Sequence, residues 1–336
     1  MYDESIQRAL RRSKLAPLAL AAQYLDELLA NYRSPEPKTF VLTGTAGDGK
    51  TYHCREVWVR LGGSEAQWNE GHKVQSLPLA ERTLVIVKDL SELSDTDGAQ
   101  LIQNIAADVA DEASSRVYLV AANHGQLLEK LKSAGEAQAV ARLAEALEAL
   151  MVTGRQPCSD LRLDLRDLSR SPAADLLLQV IDEIVGHEAW EDCSSCESSP
   201  ECPIRTNRAR MQGEDDGGLL KTRLKALVEI SEHNGHHFPI RQLLVLATNM
   251  LLGHPDARDG LMTCGDVPTF RAAGTSDRAS VYRNVFGENL RPSRVERTEP
   301  FGKLALFGIG VETSNAIDSV LVYGADDPLL AGDYAA

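Results

Sequence analysis

Residues 44–51 read G-T-A-G-D-G-K-T and meet the pattern G-x-x-x-x-G-K-[ST] at every fixed position. An apolar run, TFVLTG (39–44), precedes them, and a helix-compatible run follows to about Leu61. No other feature constrains the fold as much, because this pattern works only as strand, tight loop and helix in that order. Glycines at 44, 47 and 49 let the backbone curl until successive N–H groups point inward. The helix that begins there adds the positive end of its dipole. Such a cradle suits the phosphates of a nucleotide. The candidate nucleotide-binding residues are Gly44, Thr45, Ala46, Gly47, Asp48, Gly49, Lys50, Thr51 and Tyr52. Lys50 is placed to reach the β- and γ-phosphates, and Thr51 to offer its hydroxyl to Mg²⁺.

Three further runs read as strands: TLVIVKDL (83–90), RVYLVAANH (116–124) and LRLDLRDL (161–168). Helical patterns over 97–113, 126–151 and 172–185 alternate with them. The alternation predicts an α/β fold, a parallel sheet with flanking helices. Residues 4–32 carry an amphipathic helical pattern with Pro17 as a kink or break. The expected organisation is an N-terminal helix and linker (1–38), an α/β core (39–189), a Cys-rich insertion (190–213), a helical lid (214–262) and a C-terminal extension (263–336). The lid contains two predicted helices, 219–232 and 239–252. The extension is punctuated by Gly and Pro and ends without an evident capping element, as a piece of a longer protein would.

A phosphate loop needs a carboxylate at a neighbouring strand end to hold hydrated Mg²⁺. Asp89 ends the run LVIVKD and fills that place beside Thr51. Leu90 follows it where a water-polarising Glu often stands, so the next acid, Glu92, is the candidate base; the alternative is a surface helix cap. Asn123 closes the run LVAAN, where an amide reaches the attacking water or the γ-phosphate; the alternative is a cap on the next helix. His124 reads as a loop residue.

The loop GTAGDGKT, the runs LVIVKD and LVAAN, and the helix start HFPIRQLL (237–244) together resemble the AAA+/STAND branch of P-loop ATPases over roughly residues 39–252. That resemblance implies a P-loop NTPase fold and ATP hydrolysis with Mg²⁺. It makes Asn123 the first sensor, and Arg241, at the start of a lid helix, the second. An arginine from a neighbouring protomer completes such sites; Arg142, Arg155 and Arg170 are unranked candidates. AANHGQL, the cysteine cluster ending CPI, HFPIRQLL, VFGENL and PFGKLALFGIGVETSNAID further resemble ATPases of bacterial anti-phage systems linked to DNA phosphorothioation, the DptF-like restriction ATPases. This implies partner subunits of a defence or DNA-processing complex.

Six cysteines occur, and Cys193, Cys196 and Cys202 crowd into ten residues. In a cytosolic protein such spacing reads as a metal knuckle rather than a disulfide framework. Zn²⁺ held by Cys193, Cys196, Cys202 and Cys264 is the expectation; Cys158 and His187 compete for the fourth place, and an iron–sulfur cluster is the alternative metal centre. Cys54 reads as a small buried residue. The chain carries 35 basic against 49 acidic residues, a net charge of −14. That balance does not point to DNA, although the locally basic stretches 205–210 and 271–297 leave room for it. No apolar run approaches the ~20 residues that span a bilayer, and no signal core is evident, so a cytoplasmic location without membrane contact is expected. A homo-oligomer also fits. The leading expectation is a motor or switch ATPase. A non-hydrolysing nucleotide-gated scaffold is second, and a small-molecule kinase third for want of an Arg-rich phosphate lid.

Overall fold

The computed structural model describes residues 10, 12–20, 22–68, 71–155, 160–213 and 218–307. They divide into two units. The first takes the described residues of Met1–Ser195 with Lys221–Glu232 and His237–Leu244; the second takes those of Cys196–Leu220, His233–His236 and Val245–Ala336.

The first unit is built on five strands: β1 (Thr39–Thr43), β2 (Val74–Pro78), β3 (Thr83–Val87), β4 (Arg116–Ala121) and β5 (Leu163–Asp167). Their order is β2-β3-β4-β1-β5. β1 lies between β4 and β5 and is parallel to both, and β3 is parallel to β4. β2 runs antiparallel to β3, so the sheet is mixed and the expected all-parallel sheet is corrected at one edge. An antiparallel edge strand needs only a short connection, and the four residues 79–82 make the return.

Alternation along the strands feeds two cores. Phe40, Leu42, Leu84, Ile86, Leu119 and Ala121 point to one face. They meet α1 (Leu25–Arg33), α2 (Lys50–Arg60) and Trp68 at the end of α3 (Glu65–Trp68). Val41, Val85, Val87, Tyr118, Val120 and Leu165 point to the other face. There they meet α4 (Asp95–Ala110), α5 (His124–Ser133) and α6 (Gln138–Thr153). Each such aliphatic side chain contributes roughly 1.5–3 kcal/mol by leaving water. β1 is buried along its whole length, as a strand covered on both faces must be.

Local details depart from the sequence expectations in three places. The helix expected over 4–32 is interrupted around Pro17, the expected break: Leu10, Arg12 and Ser13 are helical, Leu15–Leu20 is irregular, and α1 starts only at Leu25; residues 4–9, 11 and 21 lie outside the description. The single helix expected over 126–151 is two, broken at Gly135, whose φ of 93° no helix accommodates. The helix expected from Asp97 starts at Asp95, because Ser94 caps it and accepts the Asp97 N–H at 3.1 Å. The expected helices at 172–185, 219–232 and 239–252 are found as α7 (Ala173–Gly186), then, after α8 (Pro203–Gln212), as α9 (Leu219–His233) and α10 (Ile240–Leu252). No helix among the described residues is long and apolar enough to cross a membrane.

The second unit holds short helices and irregular chain pinned by buried asparagines. Asn207 donates to the carbonyls of Leu251 (3.1 Å) and Ala279 (2.8 Å) and accepts from the Val281 N–H. Asn249 and Asn289 exchange amide hydrogen bonds at 2.9 Å, and Asn249 also donates to the Asn284 carbonyl. These amides satisfy backbone groups that no ladder reaches.

Behind the glycine loop of the first unit, Gly63 lies against Trp58. A Cβ there would fall 2.3–2.5 Å from three atoms of the indole, which itself donates to the Ser64 carbonyl at 3.0 Å. Gly63→Ala is therefore expected to destabilise the first unit by about 1–3 kcal/mol. A lower urea midpoint at unchanged slope is the expected reading.

Candidate functional site: a glycine loop at the carboxyl end of the sheet

β1 runs into the loop 44–49, and α2 begins at Lys50. Gly44, Gly47 and Gly49 have φ of 145°, 101° and 88°, values open to glycine and strained for other residues. Gly47 is also hemmed in: a Cβ would lie 3.1 Å from the Arg241 Cβ and 3.3 Å from the Pro239 Cβ. The Arg241 N–H, in the first turn of α10, donates to the Gly47 carbonyl at 3.3 Å. The loop and the start of α10 are thus joined by backbone.

Lys50 lies 8% exposed and donates to the Gly44 and Thr45 carbonyls at 3.1 and 2.7 Å. Burial pushes its ammonium below the ordinary lysine value, against the pull of Asp48 and Asp89, then Cys54, then Asp167. Thr51 donates to the Lys88 carbonyl at 3.4 Å, one residue before Asp89. Lys88 itself is fully buried; its Nζ donates to the Trp68 carbonyl and sits 4.3 Å from the centre of the Trp68 ring. The strand end that presents Asp89 is fixed from below by that contact.

β4 lies between β1 and β3, so its end brings Asn123 between the glycine loop and Asp89. Asn123 occupies the N-cap position of α5 but makes no side-chain cap, which removes the helix-cap alternative. Its Oδ1 is buried and has no partner among the described residues. Such an acceptor is costly to leave unmade, and it fits a ligand or water that completes it. Ala46, Gly47, Asp48, Gly49, Lys50, Thr51 and Tyr52 line one cavity of about 530 Å³. Asp89, Glu92, Asn123 and Arg241 line the same cavity. Apolar walls come from Pro17, Leu18, Leu20, Leu168, Leu176 and Ile240. The volume and the mixture of apolar wall with a few polar groups are those of small-molecule sites, ~300–1,000 Å³. Glu92 sits in a 3₁₀ turn (Leu90–Glu92), and its carbonyl accepts from Lys73.

Several residues here escaped the sequence reading. Asp167 ends β5, directly opposite Thr43 in register. It accepts from the Ser169 N–H and hydroxyl at 3.1 and 2.7 Å, just as Asp89 accepts from Ser91 at 2.9 and 2.7 Å. Both turns are spelled Asp-Leu-Ser, a repeat that was visible in the sequence. His124 is the first residue of α5, not a loop residue, and its Nε2 lies 3.3 Å from Asp167 Oδ2. Because β1 separates β4 from β5, that pair spans the exit of β1 into the glycine loop. His237 Nε2 lies 2.7 Å from Asp48 Oδ1. His53 shares its Nδ1 hydrogen with the Gly49 carbonyl at 2.9 Å and lines the cavity. Burial lowers its pKa, so the ring is neutral. Burial, with Asp89 adding to it, pushes the Cys54 thiol up to about 12, in keeping with a small apolar core residue.

Comparison with protein-family models, curated proteins and solved structures returns no match to this chain.

The four cysteines expected to hold zinc are distributed differently. Cys193 lies in a 3₁₀ segment (Glu188–Ser195) of the first unit; Cys196, Cys202 and Cys264 belong to the second. Cys202 is buried at the start of α8, whereas Cys196 and Cys264 are exposed. Among the described residues no group of three or more His, Cys, Asp or Glu is arranged to hold a metal ion. Cys158 lies outside the described residues, and His187 bonds the Ala16 carbonyl at 3.0 Å. Of the arginines considered for a neighbour's site, Arg142 pairs with Asp160 at 2.6 Å, Arg170 with Asp167 at 3.3 Å, and Arg155 is exposed.

Gly47 offers the cleanest test of the loop's shape. Gly47→Ala combines a forbidden φ with a clash on Pro239 and Arg241, a strain of about 1–3 kcal/mol. On the nucleotide reading of this loop, affinity for a fluorescent ATP analogue, read by titration, is expected to fall roughly tenfold or more. Far-ultraviolet circular dichroism is expected to stay that of the wild type.

Proposed function

We propose that this chain binds ATP with Mg²⁺ and hydrolyses it, as an AAA+/STAND-type P-loop motor or switch subunit. One observation carries the proposal: a single cavity collects the glycine loop, Asp89, Glu92, Asn123 and Arg241, residues from four distant stretches of sequence. The strand order supports it, since the strand between the loop and Asp89 ends in an amide with an unmade buried acceptor.

On this reading the loop N–H groups and Lys50 hold the phosphates, and Lys50 exchanges its two carbonyl partners for phosphate oxygens. Thr51 and Asp89 hold Mg²⁺, which supplies neutralisation of phosphate charge when bound. Asn123 orients the attacking water, and Glu92 takes its proton. Arg241 stabilises charge on the γ-phosphate. The apolar walls contributed by Pro17, Leu18 and Ile240 take the base. Membership of a defence or DNA-processing complex, and a homo-oligomer with a trans arginine, rest on the family resemblance of the motifs alone. Structural zinc rests on the cysteine spacing alone, and no step here uses it; elemental analysis of reduced protein decides it, with no bound zinc ending the idea.

A non-hydrolysing scaffold is the second reading. Leu90, fully buried, stands directly after Asp89, so the next carboxylate along the chain, Glu92, is two residues further on.

Three variants separate the readings. Lys50→Ala is expected to weaken ATP binding by roughly 10–100-fold, the loss of charge-assisted hydrogen bonds, with the fold intact. Asp89→Asn is expected to abolish Mg²⁺-dependent turnover. Asn123→Ala is expected to bind ATP normally and slow phosphate release about 10²-fold. Unchanged ATP binding in Lys50→Ala would end the nucleotide reading. Binding without any phosphate release in the wild type, with partners present, would select the scaffold.

A further inference from the structure

A polyanion site is weakened by every uncompensated carboxylate near it. The glycine loop holds one cation, Lys50, and three carboxylates act on it: Asp48, Asp89 and Asp167. Asp89 is reserved for Mg²⁺ on the reading above. Asp167 is faced by His124 and by Arg170, each at 3.3 Å. Asp48 has a different situation. It belongs to the loop itself, its side chain is 2% exposed, and one of its oxygens accepts the Thr45 N–H. Its other oxygen has His237 Nε2 at 2.7 Å. Burial raises the Asp48 pKa, but His237 and the Thr45 N–H outweigh it, and the carboxyl titrates below its ordinary value. An ionised carboxylate only accepts, so His237 Nε2 carries the hydrogen.

We infer that His237 is the counter-group that masks the Asp48 carboxylate, keeping the phosphate-binding loop electrostatically open to a polyphosphate. His237 is then a positioning residue for the nucleotide, although it touches the loop's side chain rather than the phosphates. The inference rests on the nucleotide reading and deepens it. His237 lies two residues before Pro239, in the segment that also donates the Arg241 N–H to Gly47. The same short stretch therefore braces the loop backbone and screens its one acidic side chain. A buried carboxylate that loses its donor keeps an unmade hydrogen bond and an unscreened charge, which is why the loss is large and why removing the carboxylate's charge relieves it.

The experiment is a double-mutant cycle on the full chain, with Asp48→Asn, His237→Ala and both together. Dissociation constants for MgATP and for inorganic pyrophosphate are measured with thermal melting on each variant. Asparagine keeps an oxygen for the Thr45 N–H while removing the charge. His237→Ala is expected to weaken both ligands about tenfold or more. The double variant is expected to return both to within about threefold of the wild type. His237→Gln, which keeps an N–H donor, guards against a variant that fails to fold, and is expected to bind more tightly than His237→Ala. Wild-type affinity in His237→Ala overturns the inference. So does a double variant as weak as His237→Ala, which would make His237 a brace and nothing more. A wild-type chain that binds neither ligand overturns the nucleotide reading instead.

Discussion

Everything at the site hangs from the hydrogen-bond ladder of β1. This strand is buried along its length and paired in parallel on both sides, to β4 through Phe40–Leu42 and to β5 through Thr39–Thr43. Parallel neighbours all end at the same edge. The ladder therefore delivers the glycine loop, Asn123 and Asp167 to one rim, and β3 adds Asp89 one strand further out. Ligand crevices in open α/β sheets lie at such carboxyl ends. The chemistry is gathered by topology before any side chain contact is made.

Charge then has to be managed at that rim. The strand ends carry carboxylates because short acidic turns finish them: Asp-Leu-Ser at 89–91 and at 167–169, each carboxylate capping its own serine. Capping stabilises the turn locally, by about 1 kcal/mol. The cost is negative charge beside a loop that, on the nucleotide reading, takes an anion. Histidines face these carboxylates at two points, His124 across the exit of β1 and His237 on the loop. On the nucleotide reading, stability of the turns and affinity of the loop pull in opposite directions.

How far the sequence foretells this differs by element. The loop and four of the strands are legible because each is a short apolar run in a fixed motif order, and local sequence decides it. β2 is not: VQSLP buries only two of its five residues and lies at the edge, so its signal is that of a loop. The break at Gly135 is hidden because apolar residues continue in phase on both sides. The Asp48–His237 contact joins residues 189 positions apart, and nothing in either neighbourhood announces it. The second unit resists reading for another reason. Its interior is tied by asparagine amides to backbone carbonyls, an arrangement without a period of two or 3.6.

Several groups of the loop are already hydrogen-bonded within the chain. Lys50 holds two loop carbonyls, the Thr45 N–H holds Asp48, and the Gly47 carbonyl holds Arg241. At these groups a ligand exchanges partners rather than adding them, and exchanged hydrogen bonds contribute little net free energy, about 1 kcal/mol each. On the nucleotide reading, affinity draws on charge and on a backbone held in shape in advance. The first depends on Lys50 meeting phosphate with Asp48 screened. The second depends on three glycines at positive φ and on α10 pressed against Gly47. That division explains why residues outside the G-x-x-x-x-G-K-T pattern matter to it. The pattern specifies the path of the chain, whereas the balance of charge along that path is set by side chains that only the folded sheet and the start of α10 bring near.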